Sequence, residues 1–129
     1  MTIATDQIKV VLLEDEDLLR GLLGEWLSGQ PDIELLDSFR SLEAFNASLH
    51  TSVQHADIII SDLFLADGDG LDAILRVIAS HSKSQKLVVI SGRPTADLFD
   101  RLSNGMSGGW AFLLKNSNGL ANLRQALQA

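Results

Sequence analysis

Asp57-Ile58-Ile59-Ile60-Ser61-Asp62 decides how this chain folds. Three β-branched apolar residues in unbroken succession show no alternation of wet and dry positions, so both faces of the segment must be covered. That is the pattern of a central strand in a parallel sheet. Lys86-Leu87-Val88-Val89-Ile90-Ser91 has the same form. Working outward, the strand candidates number five: Ile8 to Leu13, Ile33 to Phe39, Ile58 to Ile60, Leu87 to Ile90 and Trp110 to Leu114.

Stretches with helical spacing lie between them. Leu18, Leu19, Leu22, Leu23 and Trp26 form one, Leu42, Phe45 and Leu49 a second, and Leu71, Ile74, Leu75 and Ile78 a third. A fourth helix is expected from Pro94, a residue favoured in a first helical turn, through Leu98, Phe99 and Leu102. A fifth is expected from Gly119 through Leu120, Leu123 and Leu127. Five alternations of strand and helix imply right-handed crossovers with helices on both sides of one sheet, a doubly wound α/β domain over residues 1–129.

Composition narrows the function. Ten basic against 17 acidic residues leave a formal charge of −7, the wrong sign for a surface that must displace counterions from a nucleic-acid backbone. Direct DNA or RNA binding by this chain is not expected. The absence of cysteine rules out a disulfide framework and a thiolate metal site and is compatible with a reducing, cytoplasmic setting. The N-terminus lacks the basic and apolar regions of a signal peptide, and no apolar run approaches the ~20 residues of a membrane-spanning helix, so a soluble chain is expected.

In a doubly wound sheet, chemistry sits beyond the carboxyl ends of the strands. The first strand runs directly into Glu14-Asp15-Glu16-Asp17, and the third ends in Asp62. Asp17 reads as an acid in the first turn of the following helix, where the helix dipole favours it. Asp15 and Asp62 would stand side by side if the first and third strands are neighbours. Crowded carboxylates resist ionisation and gain from a hard divalent cation, magnesium being the natural candidate for oxygen ligands in octahedral geometry. The fourth strand ends in Ser91-Gly92 and the fifth in Lys115. Acids, a hydroxyl and an ammonium at four strand ends form a set suited to phosphoryl transfer.

With these residues in view, the sequence resembles the receiver domain of two-component response regulators. The resemblance is carried by VVLLEDED with Arg20 after it, by IIISDLFLADGDGLDAI, by KLVVISGR and by GWAFLLK. It implies a flavodoxin-like (βα)5 fold with strand order 2-1-3-4-5. It implies that Asp62 is the phosphoacceptor, and that Asp15 binds magnesium directly, Glu14 through water and Phe64 through its backbone carbonyl, with Asp62 completing the set. Lys115 matches the lysine that pairs with the phosphoryl group, Ser91 the hydroxyl that moves toward it, and Phe112 the aromatic switch. The expected partner is a sensor histidine kinase or phosphotransfer protein. The face of the fourth helix, fifth strand and fifth helix is where a homodimer or a target would bind. The domain would catalyse only its own phosphorylation and dephosphorylation.

Two positions depart from the family pattern: Ala66 stands where a proline is usual, and Asn116 follows Lys115 where another proline is frequent. LLKN and DGLDAI resemble the receivers of LuxR-type regulators, in which DNA contact would come from a helix-turn-helix domain C-terminal to Ala129. Phe64 is expected to hinder the hydrolytic water and lengthen the life of the phosphoryl group, and Gly92 to leave that group accessible. Asp67-Gly68-Asp69-Gly70 fails as a calcium loop, since Leu71 and Ile78 stand where carboxylates are required, and reads as a loop feeding the third helix. His50, His55 and His81 lack metal-ligand spacing and read as surface or capping residues. A second function remains open at this level: a receiver-like module that binds proteins without being phosphorylated.

Overall fold

In the computed structural model the described residues are 7–62, 64–65, 68–81, 84–92, 96–106 and 109–128. Five parallel strands form the main sheet: β1 (Ile8–Leu13), β2 (Ile33–Phe39), β3 (Ile58–Asp62), β6 (Lys86–Ser91) and β7 (Trp110–Leu114). Their order is β2-β1-β3-β6-β7, the expected 2-1-3-4-5 once the main strands are counted in sequence. The three central strands are the most thoroughly buried, and β3 has no exposed residue along its length. The edge strands β2 and β7 are half wet. The unbroken apolar runs thus mark the strands with neighbours on both sides.

Because strand residues alternate between faces, each strand feeds two cores. Val11, Leu13, Ile59, Leu87 and Val89 face α2 (Leu42–Ala47), α3 (Ser52–His55), α4 (Gly70–Ser80) and α5 (Ala96–Gly105), through Phe45, Val53, Ile74 and Leu102 among others. Val10, Leu12, Ile58, Ile60, Val88 and Ile90 face Leu23 and Leu27 of α1 (Asp17–Ser28) and Leu123 and Leu127 of α7 (Leu123–Gln128). The C-terminal helix is stapled to the α1–β2 connection by a bidentate pair, Arg124 to both oxygens of Asp32 at 2.8 and 2.6 Å. Among the described residues no helix is long and apolar enough to cross a membrane.

The helices differ from expectation in three places. The second breaks after Ala47: the backbone leaves the helical conformation at Ser48, whose carbonyl accepts from the N–H groups of Thr51 and Val53 at 3.2 and 3.1 Å, so α2 and α3 are separate turns. The last divides into α6 (Ser117–Leu120) and α7, tightened where the Asn122 N–H reaches back to Gly119 O at 3.1 Å. The stretch after Asp62 is more than a loop: β4 (Phe64–Leu65) pairs antiparallel with β5 (Gly68–Asp69), and Asp69 then caps α4 by accepting from Leu71 N–H at 2.9 Å. Pro94, Ala66 and Asp67 lie outside the described residues.

One buried polar side chain holds the floor of the sheet together. The Gln85 amide donates to Val53 O at 2.8 Å and to Ala56 O at 2.9 Å. Its oxygen lies 2.8 Å from His81 Nδ1, so that nitrogen carries the proton. His81 thus sits at the C-terminal cap of α4, a capping role as expected, with Gln85 as its partner. Gln85→Ala takes its donor from Ala56 O and leaves Val53 O with only the Ala56 N–H at 3.2 Å, and is expected to lower unfolding stability by about 1–3 kcal/mol in urea titrations; an unchanged midpoint would contradict this account.

Candidate functional site

Parallel registration brings four strand ends to one level. Leu13 of β1 pairs with Ser61 of β3, Asp62 with Ile90 of β6, and Ser91 with Leu114 of β7. Glu14, Asp15, Asp62, Ser91 and Lys115 all emerge there. The sequence separates them widely, and the sheet order brings them together.

Glu14 extends β1 by one residue, its N–H donating to Phe39 O at 3.0 Å. Its side chain turns inward and is only 1% exposed. Oε2 accepts from the Glu16 N–H at 3.0 Å and from Lys115 Nζ at 3.2 Å. Oε1 lies 3.0 Å from the same ammonium but off its hydrogen-bonding directions, and it has no hydrogen-bond partner. Burial raises the Glu14 pKa, an effect that the Glu16 N–H and Lys115 only partly offset.

Asp62 closes β3 at 6% exposure, and its Oδ2 accepts from Lys115 Nζ at 2.8 Å. Burial alone would lower the Lys115 pKa, but hydrogen bonds to Asp62 and Glu14 overcome it and hold the ammonium above its ordinary range. It is therefore a fixed positive charge at physiological pH.

Carboxylate oxygens of Glu14, Asp15 and Asp62 lie within 4.8 Å of one another. This is an all-oxygen, anionic donor set of the kind hard divalent cations take, and the buried Oε1 of Glu14, ion-paired to Lys115 but without a hydrogen bond, has acceptor capacity to spare for an ion's water. The residues fit a magnesium ion. Phe64 begins the β4–β5 hairpin two residues beyond Asp62, opposite Asp69. Its side chain, and with it the expected shielding of hydrolytic water, lies outside the described atoms.

Ser91 is fully buried, and its carbonyl accepts from the Lys115 N–H at 2.9 Å. Gly92 is exposed, and among the described residues a Cβ added there would meet nothing within 4 Å. Phe112 is half-buried, its ring 5.3 Å from Phe99 of α5 in an edge-on contact. Asp17 stays out of the cluster. It is exposed in the first turn of α1, where hydrogen bonding and charge from Arg20 lower its pKa.

Two contributions were not legible in advance. Glu16 is the N-cap residue of α1 yet makes no side-chain cap; its carboxylate instead reaches to 3.4 Å from Lys115 Nζ. Arg20 donates to Glu14 O at 3.0 Å and to Asp17 Oδ1 at 2.6 Å, fastening the acidic loop to the helix behind it. The signals were present, in the four consecutive acids and in Arg20 one helical turn after them, but sequence alone does not say which way a loop side chain turns.

No protein-family model matches the chain. Among curated proteins it is 27% identical over 86 residues to the protein-glutamate methylesterase/protein-glutamine glutaminase of Nitrobacter hamburgensis, covering 66% of this chain and 21% of that protein. It is 26% identical over 123 residues to the transcriptional regulatory protein LiaR of Bacillus subtilis, covering 95% of this chain and 55% of that protein. The chain thus spans a minor part of the first and about half of the second. Among solved structures, the response regulator domain of Thermotoga maritima CheB superposes with a TM-score of 0.70 at 21% identity, covering 95% of this chain and 98% of that one. A LuxR-family two-component response regulator from Aurantimonas sp. superposes with a TM-score of 0.76 at 17% identity, covering 95% of this chain and 84% of that one. The chain has the fold of a response regulator receiver domain.

Proposed function

We propose that the chain is the phosphoacceptor receiver of a two-component response regulator, with Asp62 taking a phosphoryl group from a histidine kinase or phosphotransfer protein. The observation that carries this reading is the Lys115 ammonium 2.8 Å from Asp62, inside a cluster of carboxylates that fits a divalent cation. A carboxylate oxygen of Asp62 attacks phosphorus in line with the leaving imidazole nitrogen. The P–N bond breaks as the P–O bond forms, and the imidazole takes up a proton as it departs. Lys115 offsets charge gathering on the transferred oxygens. Magnesium, held by Glu14, Asp15, Asp62 and the Phe64 carbonyl, would supply the remaining positive charge. The product is an acyl phosphate on Asp62, and the chain acts as catalyst only upon itself.

The switch then runs along β6 and β7. Ser91 moves toward the new phosphoryl oxygens, and Phe112 repacks against Phe99, reshaping the face of α5, β7, α6 and α7. DNA contact, in this reading, belongs to a helix-turn-helix partner domain, and the residues described carry the signal to it.

The donor's position follows from reach. Phosphorus must arrive within bonding distance of Asp62, so a protein donor must cover the mouth, and its docking surface in this reading is α1, the helix that follows directly on the acidic loop. Leu18, Leu22 and Trp26 form a stripe four residues apart, exposed by 72%, 57% and 36%. Exposed Glu16, Asp17 and Glu25 flank it, which suits a donor helix with apolar residues in its centre and basic ones at its rim.

Three outcomes are expected. Incubation with acetyl phosphate adds one phosphoryl group to the intact mass when magnesium is present, and none in Asp62→Asn. If neither acetyl phosphate nor phosphorylated kinases add mass, the phosphorylation-independent module takes its place. Asp15→Asn weakens magnesium binding by about tenfold or more in calorimetric titration, and equal affinity would remove Asp15 from the ligand set. Leu22→Lys slows transfer from the best phosphorylated kinase of a panel by about tenfold while leaving the acetyl phosphate rate unchanged; an equal effect on both donors, or on neither, would take docking off α1.

A further inference from the structure

Lys115 leaves the sheet through a tight turn that its neighbour closes. The Asn116 N–H donates to Leu114 O at 2.8 Å across Lys115, while the Lys115 N–H donates to Ser91 O at 2.9 Å. The Asn116 side-chain oxygen then accepts from the Gly119 N–H at 2.8 Å and caps α6. Gly119 folds back so closely that a Cβ there would collide with the Leu114 carbonyl. The backbone root of Lys115 is thus gripped from both sides.

We infer that Asn116 is a positioning residue for Lys115, fixing the direction in which the lysine leaves β7 so that its ammonium falls between Asp62 and Glu14. A lysine side chain has four rotatable bonds, and carboxylates hold only its tip. Fixing the root as well keeps the charge where the transferred oxygens will develop theirs. A proline at 116 has no N–H to close the turn and no side-chain oxygen to cap α6, so the residue that departs from the receiver pattern supplies both. The effect on rate rests on the phosphoacceptor reading above.

The test uses the full chain with magnesium and acetyl phosphate, read by intact mass, alongside the ¹⁵Nζ resonance of Lys115 and a thermal melt. Asn116→Ala is expected to melt cooperatively, to shift the Lys115 resonance and to accept phosphate about fivefold more slowly. Asn116→Ser, whose hydroxyl also caps, is expected to restore both resonance and rate to within about twofold. If the alanine variant does not fold, Asn116→Gly removes the same oxygen at an N-cap position that tolerates glycine. Wild-type rate and resonance in the variant lacking the oxygen, or a loss that serine does not repair, overturn the inference. If the unmodified chain takes up phosphate from neither acetyl phosphate nor phosphorylated kinases, the phosphoacceptor reading falls, and the Lys115 resonance alone decides the role of Asn116.

Discussion

One ammonium makes the carboxyl end of this sheet tenable. Glu14 and Asp62 are almost completely buried, and Glu16 approaches from the rim; Lys115 lies 2.8–3.4 Å from all three. Buried carboxylates without a counter-charge are costly, and removing one partner of a buried pair strands the other. The same ammonium that allows these acids to gather is the group a transferred phosphoryl would next engage. Structural necessity and proposed chemistry therefore rest on one nitrogen atom.

That nitrogen is placed by topology. A parallel sheet ordered β2-β1-β3-β6-β7 brings the ends of β1 and β3 side by side and sets β7 within reach across β6. The interior strands are held by side chains that alternate between two helical layers, so no strand can slip by one residue without exchanging its core faces. Register in the apolar core thereby sets distances in the polar site.

Much of this was readable from residues 57–62 and their counterpart at 86–91, because a continuous β-branched run has few places to go other than the middle of a parallel sheet. The five strands follow from their apolar runs, and the meeting of Asp15, Asp62, Ser91 and Lys115 from chemistry at strand ends, while the place of Glu14 came with the family resemblance. What escaped was local. The break after Ala47 turns on the non-helical backbone of Ser48, the β4–β5 hairpin on two-residue pairing too short to leave a periodicity, and the turn of Glu16 toward Lys115 on a side-chain direction that no spacing encodes. Asn116 looked like a simple departure from a family pattern until its hydrogen bonds were visible.

Arg20 joins two things that are usually separate. One guanidinium holds both the Glu14 carbonyl and the first-turn carboxylate of α1, and the Glu16 N–H behind it holds the Glu14 side chain. The acidic loop is thereby tied to the helix that carries Leu18, Leu22 and Trp26 on its surface. In the proposed reading, a donor resting on those side chains would therefore sit on the element that anchors the Glu14 backbone, and docking and catalysis would share one fastening.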